Sequence, residues 1–285
     1  MSANKTLLFL IIAACSGCSS QPSKISVAFD FPKNIKEASA LEYIAQSKLF
    51  WTLEDSGNDA NLYALDKSGK RVNTVAVDVV NNDWEELASD PEGNLYIGDF
   101  GNNDNERKDL CIYKIDAADL TGTNAAPSEK ISFFYSQQKE FPPRKSERFY
   151  DAEAFFYFRG NFYLFTKNRS SKFDGTTLLY RVPAVPGNHA AILMGKFRTC
   201  TDYKHCAITD ADISDDGTTI ALLSSSQVWL FKDFKNDDFL KGRLTTIDLQ
   251  DFTQKEGICF NGNRIFIADE KDKHTGGKVY ELNKP

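Results

Sequence analysis

The stretch that decides the fold runs from Asp83 to Asp99 and pairs two short apolar segments around a turn. It reads Asp83-Trp84-Glu85-Glu86-Leu87, then the turn Asp90-Pro91-Glu92-Gly93-Asn94, then Leu95-Tyr96-Ile97-Gly98-Asp99. Pro and Gly in a polar pentapeptide are typical of a turn, and the flanking runs with aromatic and branched residues are typical of strands. The stretch therefore predicts a β-hairpin whose first strand begins with acidic residues.

The same unit recurs along the chain. Later copies begin at Tyr150-Asp151-Ala152-Glu153, at Thr209-Asp210-Ala211-Asp212 and at Lys255-Glu256-Gly257-Ile258, and a degenerate first copy begins at Ala38-Ser39-Ala40-Leu41. Two further strand patterns follow each hairpin except the last, which is followed by one. Units of about four strands that repeat every 40 to 70 residues, roughly, indicate a radial array of sheets.

The two ends of the chain complement each other. The final unit lacks its fourth strand, and Ile25–Phe31 is a strand pattern that precedes the first unit and has no sheet of its own. Pairing the two would close the array and remove its open edges. We therefore predict an all-β fold, a β-propeller of five four-stranded blades, in one domain over residues 25–285. Six blades are the alternative, if the second or third interval is divided.

Composition limits the classes of function. The chain has 285 residues and a net charge of −6, and aromatic residues make up 13% of it, which is enough to fill a sizeable core. Acidic and basic residues are interspersed, so no basic stripe indicates a nucleic-acid partner.

The first eighteen residues carry an export pattern. Lys5 precedes an apolar run from Leu7 to Ala14 that is too short to span a bilayer as a mature helix. The following Ile12-Ala13-Ala14-Cys15 resembles the lipobox of bacterial lipoproteins, with Cys15 as the lipidated residue and Cys18 as the alternative. A cleaved secretory peptide without lipid is the other interpretation. Residues 19–24 would be a spacer, and the lipid would anchor the protein to a membrane of the bacterial cell envelope, either in the outer membrane or facing the periplasm.

Four cysteines remain after the export segment. Cys200 and Cys206 flank a polar loop, and export makes a disulfide between them possible. A metal site that includes His205 is the alternative, although the paired spacing of a structural zinc site is absent. Cys111 and Cys259 stand in apolar strand patterns, so we expect buried thiols there.

Two groups of residues carry a family resemblance. Phe50-Trp51-Thr52-Leu53-Glu54-Asp55, with Asn61-Leu62-Tyr63-Ala64-Leu65-Asp66, resembles the YWTD and NHL types of propeller repeat. The acidic residue before a small or apolar strand start, as in Glu256-Gly257-Ile258, is similar to the gluconolactonase-like and esterase-like phytase propellers. That resemblance implies a central divalent cation, held by carboxylates and amides from several blades.

Aligning the repeats places one residue of each unit near a common axis: Ser39, Glu85, Glu153, Asp212 and Glu256. Four carboxylates cannot all stay ionised in a low-dielectric channel without compensation. A Ca²⁺ ion would supply it, because calcium accepts six to eight oxygen ligands. Protonation of some acids, or pairing with Lys167, Arg169 or Lys255, would also supply it. The acids could instead accept hydrogen bonds from backbone amides of the neighbouring blade, without an ion.

The loops after the second strands would share one face. Their candidate binding residues are Asp55, Asp99, Asn102, Lys167 and Asp269. Loops on a rigid scaffold often carry binding sites, although Asn, Asp and Gly are also what turns require.

Two functions are compatible with this sequence, and a purely architectural role as a lipoprotein is a third possibility. The first is an anchored propeller that binds a small molecule or a partner protein through its loop face. The second is a divalent-metal-dependent hydrolase of the lactonase, esterase or phosphoesterase type, in which a carboxylate activates metal-bound water.

Overall fold

A computed structural model describes residues 24–273 and 275–283. The predicted export segment, with Cys15 and Cys18, lies outside the described residues. Within the described part of the chain, helices are short, and none has the length and apolar character needed to cross a membrane.

Twenty-one strands account for about half of the residues that the structure describes. In chain order, the first ten are β1 (Ile25–Asp30), β2 (Glu42–Ile44), β3 (Leu49–Thr52), β4 (Asn61–Leu65), β5 (Arg71–Val77), β6 (Trp84–Ser89), β7 (Leu95–Asp99), β8 (Cys111–Ile115), β9 (Asn124–Ala125) and β10 (Glu129–Tyr135). The others are β11 (Asp151–Phe158), β12 (Asn161–Lys167), β13 (Thr176–Pro183), β14 (Gly187–Arg198), β15 (Ile208–Ile213), β16 (Thr219–Ser224), β17 (Gln227–Lys232), β18 (Arg243–Asp248), β19 (Lys255–Asn261), β20 (Arg264–Asp269) and β21 (Lys278–Leu282). The prediction of an all-β chain is confirmed.

Consecutive strands pair with their neighbours in antiparallel meanders. One sheet has the order β2-β3-β4-β5-β9 and another has the order β15-β16-β17-β18. In an eight-stranded sheet of order β11-β12-β13-β14-β10-β8-β7-β6, two meanders are joined where β10 and β14 pair in parallel. The sequence did not predict this junction or the short parallel strand β9, because edge-to-edge pairing depends on how neighbouring sheets approach.

The N-terminal strand completes the C-terminal sheet. The order of that sheet is β1-β21-β20-β19, and β1 runs antiparallel to β21 with Ile25 opposite Leu282 and Asp30 opposite Lys278. Lys278 Nζ also donates to Asp30 Oδ1 at 2.6 Å. The predicted pairing of the two chain ends is therefore present.

The first strand of each meander lies against the first strand of the next one. β2 contacts β6, β6 contacts β11, β11 contacts β15, β15 contacts β19, and β19 contacts β2 again. These five inner strands thus surround a common axis. We call the end of the axis where they begin the upper mouth, and the end where they finish the lower mouth.

The core consists of layers between the faces of neighbouring sheets. Trp51 of β3 and Trp84 of β6 are fully buried in one such layer, and Phe29, Phe50 and Phe266 pack in the layer that joins the first and last sheets. Aromatic rings suit this role because each supplies a large apolar surface to a flat interface.

A short helix, α1 (Tyr203–Cys206), lies between β14 and β15. The predicted disulfide between Cys200 and Cys206 is present, with Cα atoms 5.5 Å apart, and it ties α1 to the end of β14. Cys111 and Cys259 are free and buried, as predicted. Short 3₁₀ turns occupy Asp119–Thr121, Lys145–Glu147 and Phe239–Lys241.

Candidate functional site

Four of the inner strands have a register shift near their upper end. It falls at Glu85 in β6, at Glu153 in β11, at Thr209 in β15 and at Glu256 in β19. Such a bulge leaves one residue out of the ladder and redirects its side chain. The bulge residues are therefore the structurally equivalent positions at the upper mouth, and Ser39 lies beside them before β2.

The alignment of Asp212 with the other three acids was wrong by three residues. The equivalent residue of β15 is Thr209. Asp212 lies toward the lower mouth, near Glu42, and accepts hydrogen bonds from the backbone N–H groups of Ile213 (2.6 Å) and Phe260 (2.7 Å). Its carboxylate thus links β15 to β19. The repeat Thr-Asp-Ala-Asp offers two acids, and sequence similarity alone favoured the wrong position.

The upper mouth opens into a cavity of about 200 Å³, which we call the axial cavity. Its walls carry six carboxyl side chains and two cationic ones. They are Glu37, Asp55, Glu85, Glu153, Glu256 and Glu270, with Lys167 and Arg169. Ser39, Asn103 and Gln254 add uncharged polar groups.

Both cations form ion pairs with Glu153 on one wall of the axial cavity. Lys167 Nζ lies 3.0 Å from Glu153 Oε2, and Arg169 Nη2 lies 2.5 Å from Glu153 Oε1. Arg169 Nε also donates to Asp151 at 2.5 Å. Burial raises the pKa of Glu153, but the two cations outweigh it and hold the pKa below its ordinary value. Glu153 is therefore ionised, as the pairing alternative predicted, whereas Lys255 pairs with Asp251 away from the cavity.

Three other acids of the cavity, Glu85, Glu256 and Glu270, have raised pKa values. Burial, followed by the Glu153 charge, raises the pKa of Glu85 well above its ordinary value. Burial is also the largest cause for Glu256 and for Glu270, whose pKa values rise to about 7. Within residues 24–273 and 275–283, none of these three forms an ion pair. Clustered acids with perturbed pKa values in a cavity are a recognised indicator of function.

Gly101 allows the carboxyls of Glu85 and Asp83 to approach the backbone closely. A Cβ atom at that position would collide with Glu85 Oε1 and with the Asp83 carboxyl. Burial, followed by Asp55, raises the pKa of Asp83 to about 6. The Gly in the loop Asp99-Phe100-Gly101 therefore provides close approach rather than a turn.

The five residues predicted for the loop face fall into two groups with different positions. Asp55 and Lys167 line the axial cavity. Asp99, Asn102 and Asp269 are buried and hold loops in place.

Their contacts explain this structural role. Asp99 pairs with Arg107 at 2.8 Å. The Asn102 N–H donates to Asp151 at 2.6 Å, and Asp269 accepts from Tyr280 Oη at 2.9 Å. The cavity is lined instead by the residues that follow Asn102 and Asp269, which are Asn103 and Glu270.

The arrangement does not fit a divalent cation as it stands. Calcium requires six to eight oxygen ligands at about 2.3–2.6 Å. In the described part of the chain, no three His, Cys, Asp or Glu side chains converge as metal ligands. The ammonium of Lys167 and the guanidinium of Arg169 also occupy the positions beside Glu153.

The comparisons with known proteins establish the fold alone. No protein-family model and no curated protein matches the chain. A gluconolactonase from Xanthomonas campestris is similar in structure with a TM-score of 0.51 and 11% identity, over 94% of this chain and 96% of that one. The likeness supports the prediction of a β-propeller.

Two further structures are more distant. Hydrazine synthase from Kuenenia stuttgartiensis has a TM-score of 0.41 and 11% identity over 81% of this chain, which spans 61% of that chain. A nidogen/laminin complex has a TM-score of 0.47 and 9% identity, over 82% of this chain and 73% of that chain.

Proposed function

We propose that this chain is an exported, lipid-anchored propeller of five blades that binds a positively charged ligand in the axial cavity. The cyclic contact of five inner strands supports the count of five. The lipobox-like segment that ends at Cys15, or alternatively at Cys18, supports the anchor and a place in the bacterial cell envelope. The ligand is a small molecule or a group on a partner.

One observation carries the proposed binding. Six carboxyls face a cavity in which the two cations, Lys167 and Arg169, are both paired with Glu153. Burial, together with the charges of neighbouring carboxylates, raises the pKa values of Glu85, Glu256 and Glu270 and so favours protons on them. A cationic ligand would replace those protons. The small volume limits the part of the ligand that enters to an ammonium or guanidinium group, or an ion.

The test is a calorimetric titration of the purified full chain in detergent with ethylammonium. Because the pKa of Glu256 is about 7, ionisation of this single group raises affinity about tenfold between pH 6 and pH 8. Glu256→Gln removes a charge from the cavity and should weaken binding at pH 8 by about tenfold.

Asp215→Asn is the matched control, because Asp215 is an exposed acid at the lower mouth. It should leave the affinity unchanged. No ethylammonium binding at pH 8, or binding that ignores Glu256→Gln, contradicts the proposal. Titration with Ca²⁺ in the same buffer tests the predicted calcium site, which fits only if the carboxyls rearrange around the ion.

The second candidate is the metal-dependent hydrolase. The pKa values of two carboxyls in the cavity, which are shifted in opposite directions, favour it. The pKa of Glu153 is lowered, so this group is ionised, whereas the raised pKa of Glu256 leaves it partly protonated near neutral pH. Lactone or ester turnover that requires Ca²⁺ and disappears in Glu256→Gln would support a hydrolase over simple binding.

A further inference from the structure

The N-terminal strand enters the propeller beside the face that carries the lower mouth, which we call the lower face. β1 is the edge strand of the last sheet, and the Asn283 N–H donates to the carbonyl of Lys24 at 2.7 Å. Leu282 and Asn283 line a depression of about 720 Å³ together with Asp215 and Asn263. The last two residues lie in the turns that follow the inner strands β15 and β19, where these strands finish. Lys24 therefore lies near the lower ends of the inner strands.

Only a short stretch of chain separates Lys24 from the predicted anchor. Lys24 is the sixth residue after Cys18 and the ninth after Cys15. An extended chain advances by at most about 3.3–3.6 Å per residue, so the lipidated cysteine lies within about 20 Å of Lys24 for Cys18 and within about 30 Å for Cys15. This bound follows from covalent geometry alone.

The thickness of the propeller is comparable with this reach. The inner strands β19 and β11 have seven and eight residues and run from the upper mouth to the lower mouth. At about 3.3 Å per residue they span about 20–25 Å, and the loops of the upper face lie beyond their first residues. A molecule with its upper mouth against lipid would hold Lys24 at least that far from the lipid surface. The reach from Cys18 is too short for this, and the reach from Cys15 allows it only with the connecting chain almost fully extended, at a cost in conformational entropy.

The surface of the lower face is suited to lie near lipid without entering it. Exposed aromatic side chains hold proteins in the membrane interface. In the described part of the chain these rings lie in connections of the upper face or in β10, and they are Phe141, Tyr203, Phe252 and Phe134. The turns of the lower face carry both signs of charge, with Glu92 and Asp215 beside Arg159 and Arg264. The position of this face relative to the bilayer is therefore set by the connecting chain.

We propose that the lipid surface of the membrane is the partner of the lower face, on the side where β1 pairs with β21, and that the upper mouth opens toward the aqueous compartment. The ligand of the axial cavity then arrives from the aqueous side and not from the bilayer. This inference rests on the proposed function, which supplies the lipid anchor, and adds the face that the anchor turns toward the membrane.

The test compares the heights of two positions above phosphatidylcholine vesicles that carry an acceptor dye on their headgroups. Glu92 and Glu106 are exposed acids of the same blade, one in a lower turn and the other in an upper loop. Each is replaced in the full, vesicle-bound chain, as Glu92→Cys or Glu106→Cys, and labelled with a donor dye. Energy transfer should be at least about twofold higher from the label of Glu92→Cys, because the two positions differ in height by about 20 Å. Equal transfer, or higher transfer from the label of Glu106→Cys, overturns the proposal.

The native cysteines leave these labels selective. Cys111 and Cys259 are buried, and Cys200 and Cys206 form the disulfide. If Cys15 carries the lipid, both labelled variants also contain Cys18→Ser.

A longer connection tests the physical reason for the orientation. Insertion of about twenty Gly-Ser residues between Ser23 and Lys24 adds roughly 70 Å of reach. The propeller can then turn over, and the ratio of the two transfer efficiencies should fall to about one. A ratio that keeps its original value would show that the face itself binds lipid, and would overturn the role of the short connection.

Mass spectrometry of the N-terminal peptide and flotation with the vesicles separate this inference from the proposed function. If neither Cys15 nor Cys18 carries a lipid and the chain does not float, the anchor fails and the inference fails with it. Cation binding in the axial cavity is measured independently by calorimetry. If the lipidated chain floats but the label of Glu106→Cys lies nearer to the vesicle, the anchor stands and the proposed orientation is wrong.

Discussion

Glu153 and Glu86 are buried glutamates of neighbouring inner strands with opposite electrostatic surroundings. Glu153 contacts Lys167 and Arg169 and is ionised. Burial, followed by the charge of Asp210, raises the pKa of Glu86 well above its ordinary value, and Glu86 Oε2 has no hydrogen-bond partner among the described residues. One residue type therefore serves as an ion-pair partner in one strand and as a protonated acid in the next.

The same substitution should separate these roles. Glu153→Gln leaves two cations without their carboxylate, so we expect it to lower the free energy of unfolding by about 3 kcal/mol at pH 7. Glu86→Gln imitates the protonated acid and should change stability by less than about 0.5 kcal/mol at pH 5, while raising it by about 1 kcal/mol at pH 8. Urea denaturation of both variants measures this. Equal losses in the two variants would show that Glu86 is ionised in the folded state.

At the scale of the element, β1 is the strand that connects the two ends of the chain. It pairs with β21, and Phe29 reaches across to Phe50 of the first sheet, with ring centroids 5.3 Å apart. A strand that is paired on one side and packed on the other stabilises both the last sheet and its contact with the first.

A pair of truncations in β1 tests this role. Phe29 is 5% exposed and Val27 is 53% exposed on the same strand. Phe29→Ala should lower the free energy of unfolding by about 3–5 kcal/mol, because it removes a buried ring between two sheets. Val27→Ala should change it by less than about 0.5 kcal/mol. Denaturant unfolding gives both values, and a small effect of Phe29→Ala would mean that closure contributes little to stability.

At the scale of the whole molecule, the axis holds many acids and few cations. Burial raises the pKa values of five acids along the axis. Those of Glu256, Glu270 and Asp212 rise to about 7, and those of Glu42 and Asp210, in the lower half, are also raised. Burial is the largest cause in each case. The folded chain therefore retains protons that the unfolded chain releases above its ordinary carboxyl pKa values.

This excess of bound protons fixes the sign of the pH dependence. Since the folded state binds more protons than the unfolded state between about pH 4.5 and pH 7, the free energy of unfolding should fall as pH rises through that range. We expect a loss of about 2 kcal/mol or more between pH 5 and pH 8. Denaturant unfolding across this range measures how the free energy of unfolding changes with pH. A free energy that stays constant or rises with pH would contradict the extra protons assigned to the folded state. A cation bound in the axial cavity should reduce the loss.

The sequence by itself determined the repeating hairpins, because they depend on local periodicity and turn residues. It also determined the pairing of the first strand with the last sheet, from the number of strands in each unit, and the disulfide, from the spacing of its cysteines. It also placed Glu85, Glu153 and Glu256 near one axis. Only the tertiary structure decided that Thr209 rather than Asp212 joins them, and that Asn103 and Glu270 rather than Asn102 and Asp269 face the cavity. A bulge or a one-residue change of direction moves a side chain to another face, and such shifts depend on packing between sheets rather than on the identity of the residue.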